Sequence, residues 1–358
     1  MKIAQIAPLY ESCPPRLYGG TERVVFYLTE ELVRLGHEVT LFASGDSQTG
    51  ARLVAGCEAA LRLDGRVKDP LVYHMTMLDR VRRQADQFDV LHFHTDYLHF
   101  PFFAEHCDKA ATTMHGRLDL ADLAVMMDAF PQLPLVSISA AQRLPMPWAN
   151  WCGTVHHGLP RDLHRMGDGN GGYLAFLGRV SPEKGVDRSI AIARRTGLPL
   201  QIAAKVDRAD HAYYDSEILP LLQDPLIEFV GEIGEGDKSA FLGDAVALLF
   251  PIDWPEPFGL VLIEAMANGT PVIAFNRGSV PEIIEDGLTG FIVESVDAAV
   301  AALPRARQLD RRQIRRRFEQ RFTAERMARD YLRLYDKVLS APACGAAEPD
   351  ERAAEDAD

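Results

Sequence analysis

Short apolar runs bounded by turn residues alternate with longer amphipathic stretches along most of the chain. The run "KIAQIAP" reads as a buried strand. In "GTERVVFYLTEELVRLG", Val24, Val25, Leu28, Leu32 and Leu35 recur at helical spacing and Gly36 supplies the stop, so this stretch reads as a helix. "HEVTLFAS" is a second strand, and the strand, helix, strand order requires a parallel sheet with helices on its faces. Further strands are expected at "DVLHFHT", "KAATTMH" and "LPLVSIS". A glycine-rich stretch, "MGDGNGG" from Met166 to Gly172, then reads as a linker or hinge. Beyond it the alternation restarts: strand "YLAFLG", helix "GVDRSIAIARR", strands "LPLQIAA", "IEFVGE" and "AVALLFP", an apolar helix, strand "TPVIAF" and a helix from "PEIIE". The pattern predicts an α/β protein of two doubly wound, Rossmann-like domains, residues 1–165 and 173–322, joined through 166–172, with a last helix within 323–340. Ligands of such sheets bind at the carboxyl ends of the strands, so the cleft between the domains is the expected site.

Composition narrows the classes. A formal charge of -13 argues against a nucleic-acid partner. The last 18 residues, 341–358, hold six acids and one arginine with few large apolar side chains, and read as a disordered tail. The start "MKIAQIAP" lacks the long apolar core of a signal peptide, and five scattered cysteines with no CxxC pair read as free thiols. These features lead us to expect a cytoplasmic protein without disulfides or a zinc site.

Chemistry concentrates in two stretches. "EPFGLVLIEAMANG" reads as a helix beginning at Pro257, apolar on every side, yet it carries Glu264, and a buried carboxylate needs a partner. "GRVSPEKG" places Arg179 at a strand's carboxyl end and Lys184 beside a helix start, which makes an anion site. The amides of Phe258, Gly259 and Leu260 at the start of the apolar helix can meet the same anion. A ribose reaching Glu264, or a structural arginine pairing with it, are the two readings of the carboxylate.

Together, "EPFGLVLIEAMANGTPVIAF", with its E-x7-E spacing, "GRVSPEKG", "YGGTERVVFYLTEELVRLGHEVTLFA", "TMHG" and "VPEIIEDGLTGFIV" resemble glycosyltransferase family 4, to about Tyr335. The resemblance implies the GT-B fold, with a nucleotide-sugar-binding second domain, an acceptor-binding first domain and a final helix, near Ala324–Leu339, crossing back to the first. It implies a retaining transfer of a hexose from a UDP- or GDP-sugar to an acceptor hydroxyl on a lipid-linked sugar, polysaccharide or small metabolite. No cofactor is implied, and no magnesium for donor binding. Arg179 and Lys184 would neutralise the diphosphate, Glu264 hold the ribose, Glu256 bind sugar hydroxyls and His115 face the sugar. Gly19 and Gly20 would let backbone approach the donor, and His94 and Asp96 would face the acceptor. Closure about the glycine linker would exclude water.

Other readings stay open. A GT-B epimerase, or a silent nucleotide-sugar binder, fits the same residues. A nicotinamide dehydrogenase does not, because "GEIGEG" (Gly231, Gly234, Gly236) reverses the glycine spacing. The crowding of His92, His94, Asp96 and His99 invites a metal, but no second cluster offers further ligands. The arginine-rich run 305–322 reads as a docked helix, with peripheral membrane contact as the alternative.

Overall fold

The computed structural model describes residues 1–16 and 19–340, so the expected acidic tail lies outside it. The first domain is a seven-stranded parallel sheet of β1 (Lys2–Ile6), β2 (Glu38–Ser44), β3 (Arg52–Cys57), β4 (Val90–Phe93), β5 (Ala110–Thr113), β6 (Leu135–Ser137) and β7 (Trp151–Thr154), in the order β3-β2-β1-β4-β5-β6-β7. Around it lie α1 (Gly20–Arg34), α2 (Pro70–Arg83) and α3 (Ala121–Ala129). The central strands are buried on both faces, which is why they read as unbroken apolar runs. The hydrophobic pattern misses β3 and β7 because both are sheet edges, only partly buried, and carry Arg52, Cys57, Trp151 and Cys152 in place of such a run.

The second domain is a six-stranded parallel sheet of β8 (Leu174–Arg179), β9 (Leu200–Lys205), β10 (Ile227–Gly231), β11 (Ala247–Phe250), β12 (Val272–Phe275) and β13 (Gly290–Val293), in the order β10-β9-β8-β11-β12-β13. Its longer helices are α4 (Val186–Thr196), α5 (Glu235–Gly243), α6 (Leu260–Ala267), α7 (Val296–Ala306) and α8 (Arg311–Arg321). The final helix, α9 (Ala324–Leu339), crosses back and packs on α1 and β7 of the first domain.

The glycine linker is not a free joint. Gly167, Gly169 and Gly171 donate backbone hydrogen bonds to Asn268, Gly243 and Asp244, which pins the segment to the second domain. Arg311 reinforces it, its guanidinium donating to the carbonyls of Gly167, Gly243 and Ala245 and to Thr270 Oγ1. The chain instead crosses between domains at Leu159 and again at Thr323, side by side: Leu159 N–H donates to Phe322 O at 2.9 Å and Ala324 N–H to Leu159 O at 2.8 Å. Gly158 permits this approach, since a Cβ there would stand 2.3 Å from Thr323 O.

The arginines of α8 are largely engaged within the fold. Arg315 donates to the carbonyls of Arg161, His164 and Ala267, while Arg317 and Arg321 both pair with Glu285. Among the described residues, no helix is long and apolar enough to cross a membrane. Cys13, Cys57 and Cys152 are free thiols, but Cys107 is disulfide-bonded, contrary to the expectation of thiols throughout.

Candidate active site

The carboxyl ends of β1, β4 and β5 face those of β8 and β11 across a cavity of about 690 Å³ lined by both domains. All twelve residues singled out from the sequence line it: Gly19, Gly20, His94, Asp96 and His115 from the first domain, and Arg179, Lys184, Glu256, Phe258, Gly259, Leu260 and Glu264 from the second.

The helix carrying Glu264 starts later than its sequence suggests. Pro257 and Phe258 belong to the preceding loop, Gly259 turns left-handed at φ 79°, and α6 begins at Leu260. Glu264 therefore stands one turn in, about 6 Å along the axis at ~1.5 Å per residue, nearer the helix start than the two turns its spacing from Pro257 implied. The loop before it is held from the side: Ser279 N–H donates to Glu256 O at 3.0 Å, and Ser279 Oγ to Phe258 O at 2.8 Å. Gly278 makes this possible, because its φ is 54° and a Cβ would lie 2.4 Å from both Glu256 N and O. The ring of Phe258 is 2% exposed and packs on His157 and Phe322, so it anchors the loop across the domain junction.

Glu264 has a protein partner that the sequence did not reveal. Lys238 of α5 donates to Glu264 Oε1 at 2.6 Å and also lies 3.1 Å from Glu235, which Arg23 of α1 reaches from the first domain. Burial pushes the Glu264 carboxyl up, but the charges of Lys238 and His164 and the Lys238 hydrogen bond outweigh it, leaving the pKa below the usual carboxylate value. His164, Glu235 and Glu264 are close enough to share a metal ion. Lys238 and Arg23 already bring positive charge to that spot, so a cation there would meet like charge. Nothing in the sequence singled out Lys238, which lies between the expected strands "IEFVGE" and "AVALLFP".

The other charges are paired in the same way. Lys184 lies 2.5 Å from Glu256 and 4.6 Å from the ring centroid of Trp254. Arg179 meets Glu183 at 2.6 Å and Asp210 at 3.4 Å.

The first domain contributes Arg23 and the Arg62–Glu11 pair to the lining, and beside them several groups that burial holds toward their neutral forms. Burial pushes the His115 pKa down to about 3 and raises that of Asp96 to about 6, although Asp96 is open to water in the cleft and accepts from the His115 backbone N–H. Glu22, at the start of α1, is raised to about 7 by burial. His94 is 1% exposed, and both its ring nitrogens are engaged, Nε2 with Gln5 and Nδ1 with His115. Its place in the cavity lining is thus fixed by the protein's own hydrogen bonds, which engage both ring nitrogens. His92 and His99 are likewise bonded to Tyr335, Thr113 and Thr112, so the histidine crowd is a hydrogen-bonded wall.

Two facing parallel-sheet domains with a cleft lined by both define the GT-B class of fold, and solved structures share it. Sucrose-phosphate synthase from Thermosynechococcus elongatus matches with a TM-score of 0.76 at 18% identity, over 95% of this chain and 100% of that one. HepE from Anabaena, in complex with UDP and glucose, matches with 0.72 at 15% identity, over 94% and 99%. The model of Glycosyltransferase Family 4 matches residues 18–166, and that of Glycosyl transferases group 1 matches residues 168–323. The chain belongs to glycosyltransferase family 4. Among curated relatives, D-inositol 3-phosphate glycosyltransferase of Streptomyces scabiei is 31% identical over 172 residues, which is 41% of this chain and 38% of that protein. The chain spans less than half the length of the curated relatives it matches, as with 48% of the alpha-maltose-1-phosphate synthase of Mycolicibacterium smegmatis.

Proposed function

We propose that this chain transfers a hexose from a UDP- or GDP-linked donor to an acceptor hydroxyl, with the anomeric configuration retained. The observation that carries this reading is the convergence of two cations and two carboxylates from one domain with glycine backbone and a neutral histidine from the other around one cavity. Its volume falls within the roughly 300–1,000 Å³ usual for ligand pockets.

In this reading the donor diphosphate takes over Arg179 and Lys184 from Glu183 and Glu256. The first-turn amides of α6, which have no side-chain cap, add donors on the same side. Glu256, released from Lys184, turns to sugar hydroxyls. Glu264, kept ionised by Lys238, accepts from the ribose. As the glycosidic bond breaks, negative charge grows on the leaving diphosphate, and the two fixed cations stabilise it as it forms. Cations already supplied by the chain make donor binding without magnesium the expected behaviour. The acceptor enters from the side of Asp96, and a lipid-linked sugar, a polysaccharide or a small metabolite all fit that chemistry. A cytoplasmic setting, with or without contact at the membrane's inner face, goes with this reading.

Thermal unfolding with UDP, GDP and ADP, in EDTA and with magnesium, tests the donor class. A nucleotide at a hundredfold excess over its dissociation constant should stabilise the protein by about 2.7 kcal/mol. Glu264→Gln should abolish that response while the fold persists. If no nucleotide stabilises the wild type, the reading fails. Incubation with donor alone separates the rivals, because an epimerase would convert the donor sugar and a silent binder would leave it intact even with acceptor present.

A further inference from the structure

Behind His115 runs a hydrogen-bonded column that begins on the crossing helix. Strand order places β1, β4 and β5 side by side; Gln5 lies opposite His92 in the register, and His94 and His115 follow just beyond the carboxyl ends of β4 and β5. Gln5 Nε2 donates to Tyr335 Oη at 3.1 Å, and Gln5 Oε1 lies 2.8 Å from His94 Nε2. His94 Nδ1 in turn lies 2.8 Å from His115 Nε2.

The amide gives the column its direction. A carbonyl oxygen only accepts, so His94 must carry its proton on Nε2. Burial drives the His94 pKa well below its ordinary value, so the ring is neutral and its Nδ1 is bare. That Nδ1 can only accept, which places the His115 proton on Nε2. His115 is neutral for the same reason, and its own Nδ1 carries a lone pair. The other end is consistent. Tyr335 Oη, 2.8 Å from His92 Nδ1, gives its one proton to that nitrogen and is left to accept from Gln5. His92 Nε2–H then donates to Thr113 Oγ1 at 2.7 Å, whose proton goes to Tyr331 Oη at 2.9 Å. Turning the Gln5 amide over would reverse every bond between Tyr331 and His115 together.

We propose that Gln5 and His94 are positioning residues that fix His115 in its Nε2–H tautomer, so that Nδ1 meets the donor sugar as an acceptor of a hydroxyl proton. This rests on the reading that His115 faces the sugar. The consequence is a polarity requirement: the sugar position opposite His115 must carry a hydrogen-bond donor, and a fluorine or a carbonyl there would be refused. Because Tyr335 belongs to α9, the helix that crosses between domains also sets the direction of this contact.

Long-range proton–nitrogen spectra of the full chain, labelled with nitrogen-15 in its histidine rings, read the tautomers directly. Signals are assigned by their loss in His94→Asn and His115→Asn. In the wild type, both rings should show a protonated Nε2 and a bare Nδ1. Gln5→Leu removes the carbonyl that holds the His94 proton, and both rings should shift together toward the Nδ1–H form. Tyr335→Phe, a milder change that keeps the ring, should produce a mixture. A wild-type His115 protonated on Nδ1, or tautomers unmoved in both variants, overturns the proposal. Saturation with UDP-glucose or GDP-mannose then separates the two layers: a shift of the His115 nitrogens supports the sugar contact. No shift with either donor, while the column responds to Gln5→Leu, overturns the sugar contact and leaves the column standing.

Discussion

On the first domain's wall of the cleft, burial moves titratable groups toward their uncharged forms. His94, His115 and His157 are pushed below the ordinary histidine value, while the buried Glu22 rises to about 7. On the second domain's wall, the same burial is outweighed by opposite charge at Glu264 and, at Glu183, by hydrogen bonds from its own backbone and Ser181 together with the charges of Arg179 and Lys184. Glu264 sits against Lys238, Glu256 against Lys184 and Glu183 against Arg179, and the pKa values of Glu264 and Glu183 fall. A wall of ion pairs can exchange one anion for another with little change in local charge, which suits a diphosphate. On the first domain the charges of Arg23 and of the Arg62–Glu11 pair stand apart from the neutral stretch around His115, which discriminates by the direction of its hydrogen bonds and so suits hydroxyls.

The strongest way to break this contrast is to remove one member of a pair. Lys238→Met leaves Glu264 buried without its partner, and such losses cost about 3–5 kcal/mol. Urea unfolding should show that loss, and adding Glu264→Gln should restore most of it. A matching lesion in the neutral wall, His115→Asn, should cost only ~1 kcal/mol, the worth of an ordinary hydrogen bond. Equal costs would mean that the two walls do not differ as described. Next in size is Lys184→Ala, which removes a cation from the proposed phosphate site. Calorimetry should find UDP bound roughly 10–100-fold more weakly, equivalent to ~1.5–3 kcal/mol for a charged hydrogen bond, with uridine binding unchanged. Equal weakening of UDP and uridine would move Lys184 away from the phosphates.

The contrast also marks what the sequence could show. Central strands and long helices were legible because burial on both faces, or on one helical stripe, leaves a periodic signature; α9 was expected at the residues it occupies. Arg179, Lys184 and Glu256 were legible as residues because each stands at or beside the end of such an element, and Glu264 because it is a carboxylate inside an apolar helix. Their partners were not. Lys238 lies 26 positions from Glu264, and Lys184 lies 72 from Glu256, so the pairings exist only through the topology. Gln5 is a further case: a single amide inside the apolar run "KIAQIAP" gave no signal of the column it directs. The glycines misled for a related reason. Residues 166–172 have a linker's composition but are fastened by Arg311, whereas Gly158, alone in its stretch, permits the crossing.

A further effect tests the first domain's wall through pH. Glu22 Oε1 accepts the backbone N–H of Glu11 at 3.3 Å, and burial holds its pKa up at about 7 against an ordinary 4.5, with Glu11 adding repulsion and Arg62 opposing it. The sign follows from proton counting. Between the ordinary value and about 7, the folded chain keeps a proton that the unfolded chain has released, so stability falls as pH rises through that window. Below the window both states are protonated and the penalty is absent; above it the full penalty applies. Glu22→Gln removes the titration, so the variant should match the wild type near pH 4 and exceed it by about 2 kcal/mol at pH 8, at ~1.4 kcal/mol per unit with allowance for relaxation. Because lowered carboxylates such as Glu264 tilt the curve the other way, the test is the difference between the two proteins across the window. A gap that stays constant from pH 4 to pH 8 would show that Glu22 is already ionised in the folded chain.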